Sequence, residues 1–310
     1  MSPKLPITRF LDDGEERRLT LCSRALGTRL AWAAAMALLA LATAAAQQAN
    51  QAGPAVVLHD PAEYNAYTAA LNTQDATARA QALEAFTQQY PRSVVLTDAL
   101  EQAMAAWQQA GNADKVKEIA RRLVTMDAGN VRALAVVVAL DRGSAAQGDK
   151  ASLDELCLYS TAGLREVADW QKPAGMSDGD FASLSRQMND IFDGAAGFCA
   201  LQQKNYAQAR DFLTRAIGAD ATNLQDVYQL AVADLEMTPV DTNGFWYCAK
   251  AIHLAGSNAQ AANGIAAYCK QKYATYHGSA DGWDALTAAS AGQETLPADF
   301  ARGIAPAGRR

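Results

Sequence analysis

The sequence predicts an all-α chain of about six antiparallel helix pairs, on three observations. The stretch from Ile191 to Asn223 reads helix, tight turn, helix, with Gly197 nine residues before Tyr206 and with Ala209 and Ala216 following at helical spacing. Met104, Ala113, Val116 and Leu123 repeat that spacing earlier in the chain. The 310 residues are 50% hydrophobic but only 7% aromatic. Much of the apolar content is therefore alanine, which favours helix and lets helices approach closely. The longest β-branched run, Val136-Val137-Val138, itself lies inside a helical pattern.

Taken in order, the chain opens on a basic segment with Arg17, Arg18, Arg24 and Arg29, followed by an apolar run from Leu30 to Ala46. The run is too short and too alanine-rich to read as a spanning helix. It ends in the small-x-small site Ala44-Ala45-Ala46 before Gln47-Gln48. Residues 1–46 thus read as a secretory signal cleaved after Ala46, with a retained signal anchor as the alternative. Residues 47–59 read as a linker, and 60–291 as the helical domain.

Asp60-Pro61-Ala62-Glu63 predicts a helix start: an N-cap acceptor, a proline at the first helical position and a glutamate that closes a capping box. Asp75 caps the next helix, which stops at Pro91. Leu100, Met104 and Trp107 form one stripe, Gly111-Asn112 a turn, and Val116, Ile119, Ala120 and Leu123 the returning stripe. Val131 to Asp141 is almost wholly apolar and is expected at the centre, with Arg142 to Lys150 as a loop. A helix from about Leu153 to Trp170 leads to a break near 171–178, where Ser177 and Asp180 form a second capping box. Leu224 to Met237, Phe245 to Leu254, a Ser257-capped helix to Tyr276, and Asp281 to Ala291 complete the helices. Gly278 fits the left-handed position after a helix, and residues 292–310 are expected as a mobile tail.

The Gly197, Tyr206, Ala209, Ala216 pattern resembles one tetratricopeptide repeat, in which a small residue on the first helix lets the second pack against it. FTQQYPRS, residues 86–93, resembles repeat ends of envelope tetratricopeptide proteins of the Tol-Pal coordinator and outer-membrane-assembly type. GFWYCAKAIHLAGSN and KYATYHGSADGWDAL resemble the C-terminal part of uncharacterised bacterial exported tetratricopeptide proteins. The resemblance implies a right-handed helical-repeat solenoid, located in the periplasm, whose first-in-pair helices line a concave surface for a protein or peptide partner. It implies no cofactor.

Little else in the chain suggests chemistry. His59, His253 and His277 have no second ligand at helical spacing, and no HExxH, GxSxG or glycine-rich phosphate loop occurs. No catalytic, cofactor-binding or metal residue is therefore expected. Six of the 27 Lys/Arg and four of the 33 Asp/Glu lie in the first 46 residues, which leaves an acidic body of 21 against 29. Such a body argues against nucleic acid, whose phosphates are neutralised by basic residues. A membrane contact is expected only through an uncleaved N-terminal segment.

Cys157, Cys199, Cys248 and Cys269 follow the cleavage site and permit three pairings. Cys248 lies seven residues before the AGSN turn and Cys269 eleven after it. That mismatch of four residues is about 6 Å of helical rise, so buried thiols are favoured over a bridge.

Two surfaces stand out as candidates. Phe198, Leu201, Tyr228 and Val232 lie about 100° round from the predicted helix crossing and would form an apolar strip for a partner. Tyr276, His277, Asp281 and Trp283 form either a binding tip or a cap on the end of the stack. The leading expectation is an exported scaffold for protein–protein or protein–peptide interaction. The rivals are an enzyme or small-ligand carrier with a pocket near Trp246, His253 and Trp283, and an envelope assembly factor anchored in the inner membrane.

Overall fold

The computed structural model describes residues 57–173, 175–290 and 293–308. The expected signal or anchor, and the linker up to residue 56, lie outside the described residues. Among the described residues the structure is all-helical, with twelve α-helices and no strand. They are α1 Pro61–Leu71, α2 Ala76–Gln89, α3 Leu96–Gln109, α4 Ala113–Met126, α5 Val131–Ala146 and α6 Lys150–Ala168. Then follow α7 Asp178–Gln202, α8 Tyr206–Ala219, α9 Leu224–Glu236, α10 Gly244–Ala255, α11 Ala259–His277 and α12 Trp283–Ser290. From α1 to α11 each helix packs on the next, and α7 also touches α5 and α9, the three being the first helices of successive pairs. No described helix is long and apolar enough to cross a membrane.

Local signals set most of the helix starts. Asp60 accepts from the Ala62 amide at 2.9 Å, and Asp75 from Ala78 at 2.8 Å. Asn112 accepts from Lys115 at 3.1 Å after Gly111, whose φ of 75° suits glycine. Ser177 accepts from the Asp180 amide at 3.1 Å and donates to the Asp180 carboxylate at 2.7 Å. Gly278 ends α11 with φ 91°. Two expectations fail in detail. Glu63 does not close a capping box, since its Oε1 has no hydrogen-bond partner, and α11 is capped by Asn258 rather than Ser257. A third difference matters more: α5 does not stop at Asp141 but continues through Arg142 to Ala146. Ala145 and Ala146 are buried there, so packing carries the helix across a Gly-Ser pair that sequence alone reads as a loop.

Helix α7 is the centre of the stack. Nine consecutive residues, 192 to 200, are buried, so the helix has no free face along that length. It touches α5, α6, α8 and α9. Neighbours on all sides require small side chains. A Cβ on Gly197 would lie 2.5 Å from Leu213 Cγ of α8, and one on Gly163 of α6 would lie 2.2 Å from the Phe192 ring. The small residue expected at the crossing of α7 and α8 is thus a steric necessity, and Ala209 and Ala216 are buried opposite it.

The core does not divide at the break near 171–178. Trp170 and Phe181 stack across it at 5.4 Å, and Lys172 pairs with Asp178. One apolar cluster runs from Ala70 to Cys199, a second from Leu224 to Ile304, and a small third joins Ala200, Ala209, Leu213, Leu230 and Ala233. The change of cluster falls within α7.

The cysteines form two disulfides, Cys157–Cys199 and Cys248–Cys269, with Cα separations of 5.6 and 6.1 Å. This corrects the expectation of free thiols. The rise argument held only for a hairpin whose two helices meet flush at the turn. With Cys248 and Cys269 level, α10 and α11 are staggered, and the stagger absorbs the mismatch. Residues 293–308 are not a free tail either. Ile304 is buried in the second cluster, and the Ala307 amide donates to the Tyr276 carbonyl at 2.7 Å.

Replacing Gly197 with alanine is expected to destabilise the fold by about 1–3 kcal/mol through overpacking against Leu213. Gly218, whose added Cβ would meet nothing within 4 Å, is the control position for the same change. Chemical denaturation of the two variants checks this, with Gly218→Ala expected to be neutral or stabilising.

Candidate functional site

The described residues contain no group of three His, Cys, Asp or Glu able to hold a metal ion. The polar chemistry of the stack lies instead in buried charges placed between helices. Lys117 of α4 pairs with the fully buried Asp141 of α5, and Arg215 of α8 pairs with Asp193 of α7 at 2.7 Å. Arg210 of α8 reaches Asp234 of α9 at 3.6 Å and Asp241 at 3.3 Å. Each pair ties neighbouring elements together, with one partner withdrawn from water.

One set is different. Arg142 of α5 donates to Asp226 of α9 and lies 3.4 Å from Gln229 Oε1, across the face of α7. The approach is possible because Gly194 of α7 lies between them. A Cβ there would be 2.8 Å from Arg142 Nη1 and 2.9 Å from Asp226 Oδ2. On the same helix, Asp190 and Gln187 follow Gly194 back at four and seven residues, so all three share a face. Asp226 is 0% exposed, whereas Asp190 and Gln187 are half-buried.

Four polar atoms of this set are buried without a hydrogen-bond partner: Gln187 Oε1, Asp190 Oδ1, Asp226 Oδ2 and Arg142 Nε. Among the described residues, Arg142 neutralises Asp226 and Arg215 neutralises Asp193, while no ion pair involves Asp190. Burial pushes the Asp190 carboxyl up to about 7, helped by the charges of Asp226 and Asp220 and opposed by Arg142. Burial likewise raises Asp234 to about 7, with Asp241 adding to the rise and Arg210 opposing it.

The residues singled out from sequence lie elsewhere. Phe198 is 6% and Val232 7% exposed, and they belong to two different apolar clusters. Leu201 and Tyr228 are half-buried, and Tyr228 packs edge-on against Tyr268. The four therefore do not line an open strip: α7 is covered on every side here, so the face turned from the α8 crossing is also core. Trp283 is 3% exposed and packs on Phe245 and Tyr273. Tyr276 and His277 are half-buried beneath the chain's own segment, His277 Nδ1 lying 2.8 Å from the Ala305 carbonyl oxygen, while Asp281 stays exposed.

The expected pocket near Trp246, His253 and Trp283 is not assembled by the contacts seen. Trp246 packs against Tyr247 under Lys250, Trp283 packs against Phe245 and Tyr273, and His253 is exposed. Sequence reading missed the Arg142–Gly194–Asp226 set because it ended α5 at Asp141, just before Arg142 and short of the helix end at Ala146. The signal that could have found it is the stripe Gln187, Asp190, Gly194 in a helix otherwise becoming apolar.

No protein-family model matches the chain, and no curated protein matches it.

The raised carboxyls make stability depend on pH in a defined direction. Between the ordinary aspartate range and about pH 7, the folded state keeps a proton on Asp190 that the unfolded chain has released. The contribution is thus fully present at low pH and lost as pH rises to about 7. Asp190→Asn, which stays neutral, is expected to melt higher than the parent at about pH 8 and to match it at about pH 4. Thermal melts across that range check the difference between the two proteins.

Proposed function

We propose that the chain is an exported, periplasmic scaffold of the tetratricopeptide type, a right-handed solenoid whose first-in-pair helices receive a protein or peptide segment. The observation that carries this reading is the set of polar side chains, Arg142, Gln187, Asp190 and Asp226, on α5, α7 and α9, the first helices of successive pairs. Polar groups on the first-in-pair helices are what a receiving surface uses to fix a partner's register. The close crossing at Gly197, with Ala209 and Ala216 opposite, supports the repeat type. The two disulfides use all four cysteines after Ala46 and support an oxidising compartment. The receiving surface is the polar set around Asp190 rather than the apolar strip through Phe198 and Val232.

Two measurements test the proposal. The mass of the protein from the cells that make it, before and after reduction, is expected to give a chain starting at Gln47 with two disulfides. An intact chain in the membrane fraction would instead support the anchored assembly factor. A photo-crosslinking residue at Gln187 is expected to capture a defined protein partner, and one at Thr214 on the exposed face of α8 to capture none. Equal capture from both positions would remove the role of the inner helices.

A further inference from the structure

Helix α11 is the first helix of the last pair, and it continues the row of α5, α7 and α9. Tyr228 of α9 packs edge-on against its Tyr268, whose hydroxyl donates to Glu236 of α9 at 2.8 Å. After α12 the chain returns to the end of α11 as residues 293–308, which contain one short 3-10 turn, Phe300–Gly303, and extended backbone at Ile304. Ile304 is buried in the second apolar cluster, and Phe300 packs against that cluster. Leu296, Pro297 and Pro306 are half-buried, and the other side chains of the segment are exposed.

The polar contacts that hold this segment meet its backbone. Lys250 of α10 donates to the Glu294 carbonyl at 3.1 Å, and His277 Nδ1 lies 2.8 Å from the Ala305 carbonyl oxygen. The Ala307 amide donates at 2.7 Å to the Tyr276 carbonyl, one of the last-turn carbonyls that α11 cannot satisfy within itself. Gly278 makes room for that contact, since a Cβ there would lie 3.1 Å from Ala307 Cβ. Backbone groups are common to every protein segment. Selectivity at this surface therefore comes from Phe300 and Ile304, two large apolar side chains four residues apart. Apolar anchors combined with main-chain hydrogen bonds are how receptors hold extended peptides.

We infer that residues 294–308 are a built-in occupant of a segment-binding surface at the C-terminal end of α11, displaced when a partner presents a segment with two large apolar side chains four residues apart. This rests on the scaffold reading and gives its partner a chemistry. A segment with a single buried side chain opens at lower cost than a helix covered on all sides, so it can leave while the stack stays folded. Its covalent attachment gives it a high effective concentration, so a free segment of equal strength competes poorly until its concentration is raised or Ile304 is withdrawn.

The experiment is fluorescence-anisotropy titration of the full mature chain with a labelled peptide copying residues 294–308. Ile304→Glu in the chain is expected to leave far-UV dichroism unchanged and to bind this peptide about tenfold or more tighter than the parent chain does. A peptide carrying Ile304→Glu is expected to bind neither chain. Equal affinity of the two chains, or no binding by the folded Ile304→Glu chain, overturns the proposal. Should that chain fold poorly, amide exchange in the parent decides. The Ala307 amide is expected to exchange about a hundredfold or more faster than the amides of residues 192–200. Equal protection makes the segment a fixed part of the core and overturns its release. A parent dimer that dissociates on Ile304→Glu places the segment on a second copy and overturns occupancy within one chain. A peptide that fails to bind while Gln187 still captures a partner overturns this surface and leaves the scaffold standing.

Discussion

The close approach of four helices around α7 is the constraint on which the rest of this structure depends. A helix buried along nine consecutive residues cannot present large side chains in every direction, because its neighbours would be pushed beyond contact distance. The sequence Phe192-Asp193-Gly194-Ala195-Ala196-Gly197-Phe198-Cys199-Ala200 meets that demand. Its small residues admit α5, α8 and α9, and its two phenylalanines fill the gaps, Phe192 against the missing side chain of Gly163. The Cys157–Cys199 bridge then fixes α6 to α7 covalently.

The same crowding explains the electrostatics. Carboxylates buried at these helix contacts lose most of their hydration, so a cation on the facing helix compensates them. Asp141 with Lys117, Asp193 with Arg215, and Asp226 with Arg142 each join a buried carboxylate to a cation on another helix. Burial raises the Asp141 and Asp193 carboxyls while their partners lower them, which is the expected balance for paired groups. Asp190 departs from that balance: it has the burial and the acidic neighbours without a cation of its own. Its departure from the rule distinguishes it from the carboxylates that brace one helix to another.

The sequence showed how the helices pair more clearly than how the pairs pack together. Gly197, Tyr206, Ala209 and Ala216 announce a helix hairpin because their spacing is local. The caps at Asp60, Asp75, Asn112 and Ser177 are local as well. By contrast, placing Phe198 and Val232 on an open surface required knowing which faces of α7 and α9 remain uncovered. Periodicity cannot report that for a helix buried all round. Arg142 was lost for a related reason, since Gly143-Ser144 reads as a break unless the packing of Ala145 and Ala146 is known. Asp190 and Asp226 look like ordinary surface acids until Gly194 is seen between Arg142 and Asp226. The cysteine pairing failed on the assumption of a flush hairpin, which sequence does not specify.

Helical-repeat arrays ordinarily lengthen and shorten by whole pairs, because each pair touches only those beside it. The contact of Arg142 on α5 with Asp226 on α9, passing over Gly194, removes that freedom here. An extra pair inserted on either side of α7 would carry one of these residues out of reach, and a deleted pair would bring together helices with no glycine between them. The number of helices between α5 and α9 is therefore set by the geometry of one ion pair. Relatives that grow or shrink should do so toward the ends of the array and keep this segment at constant length.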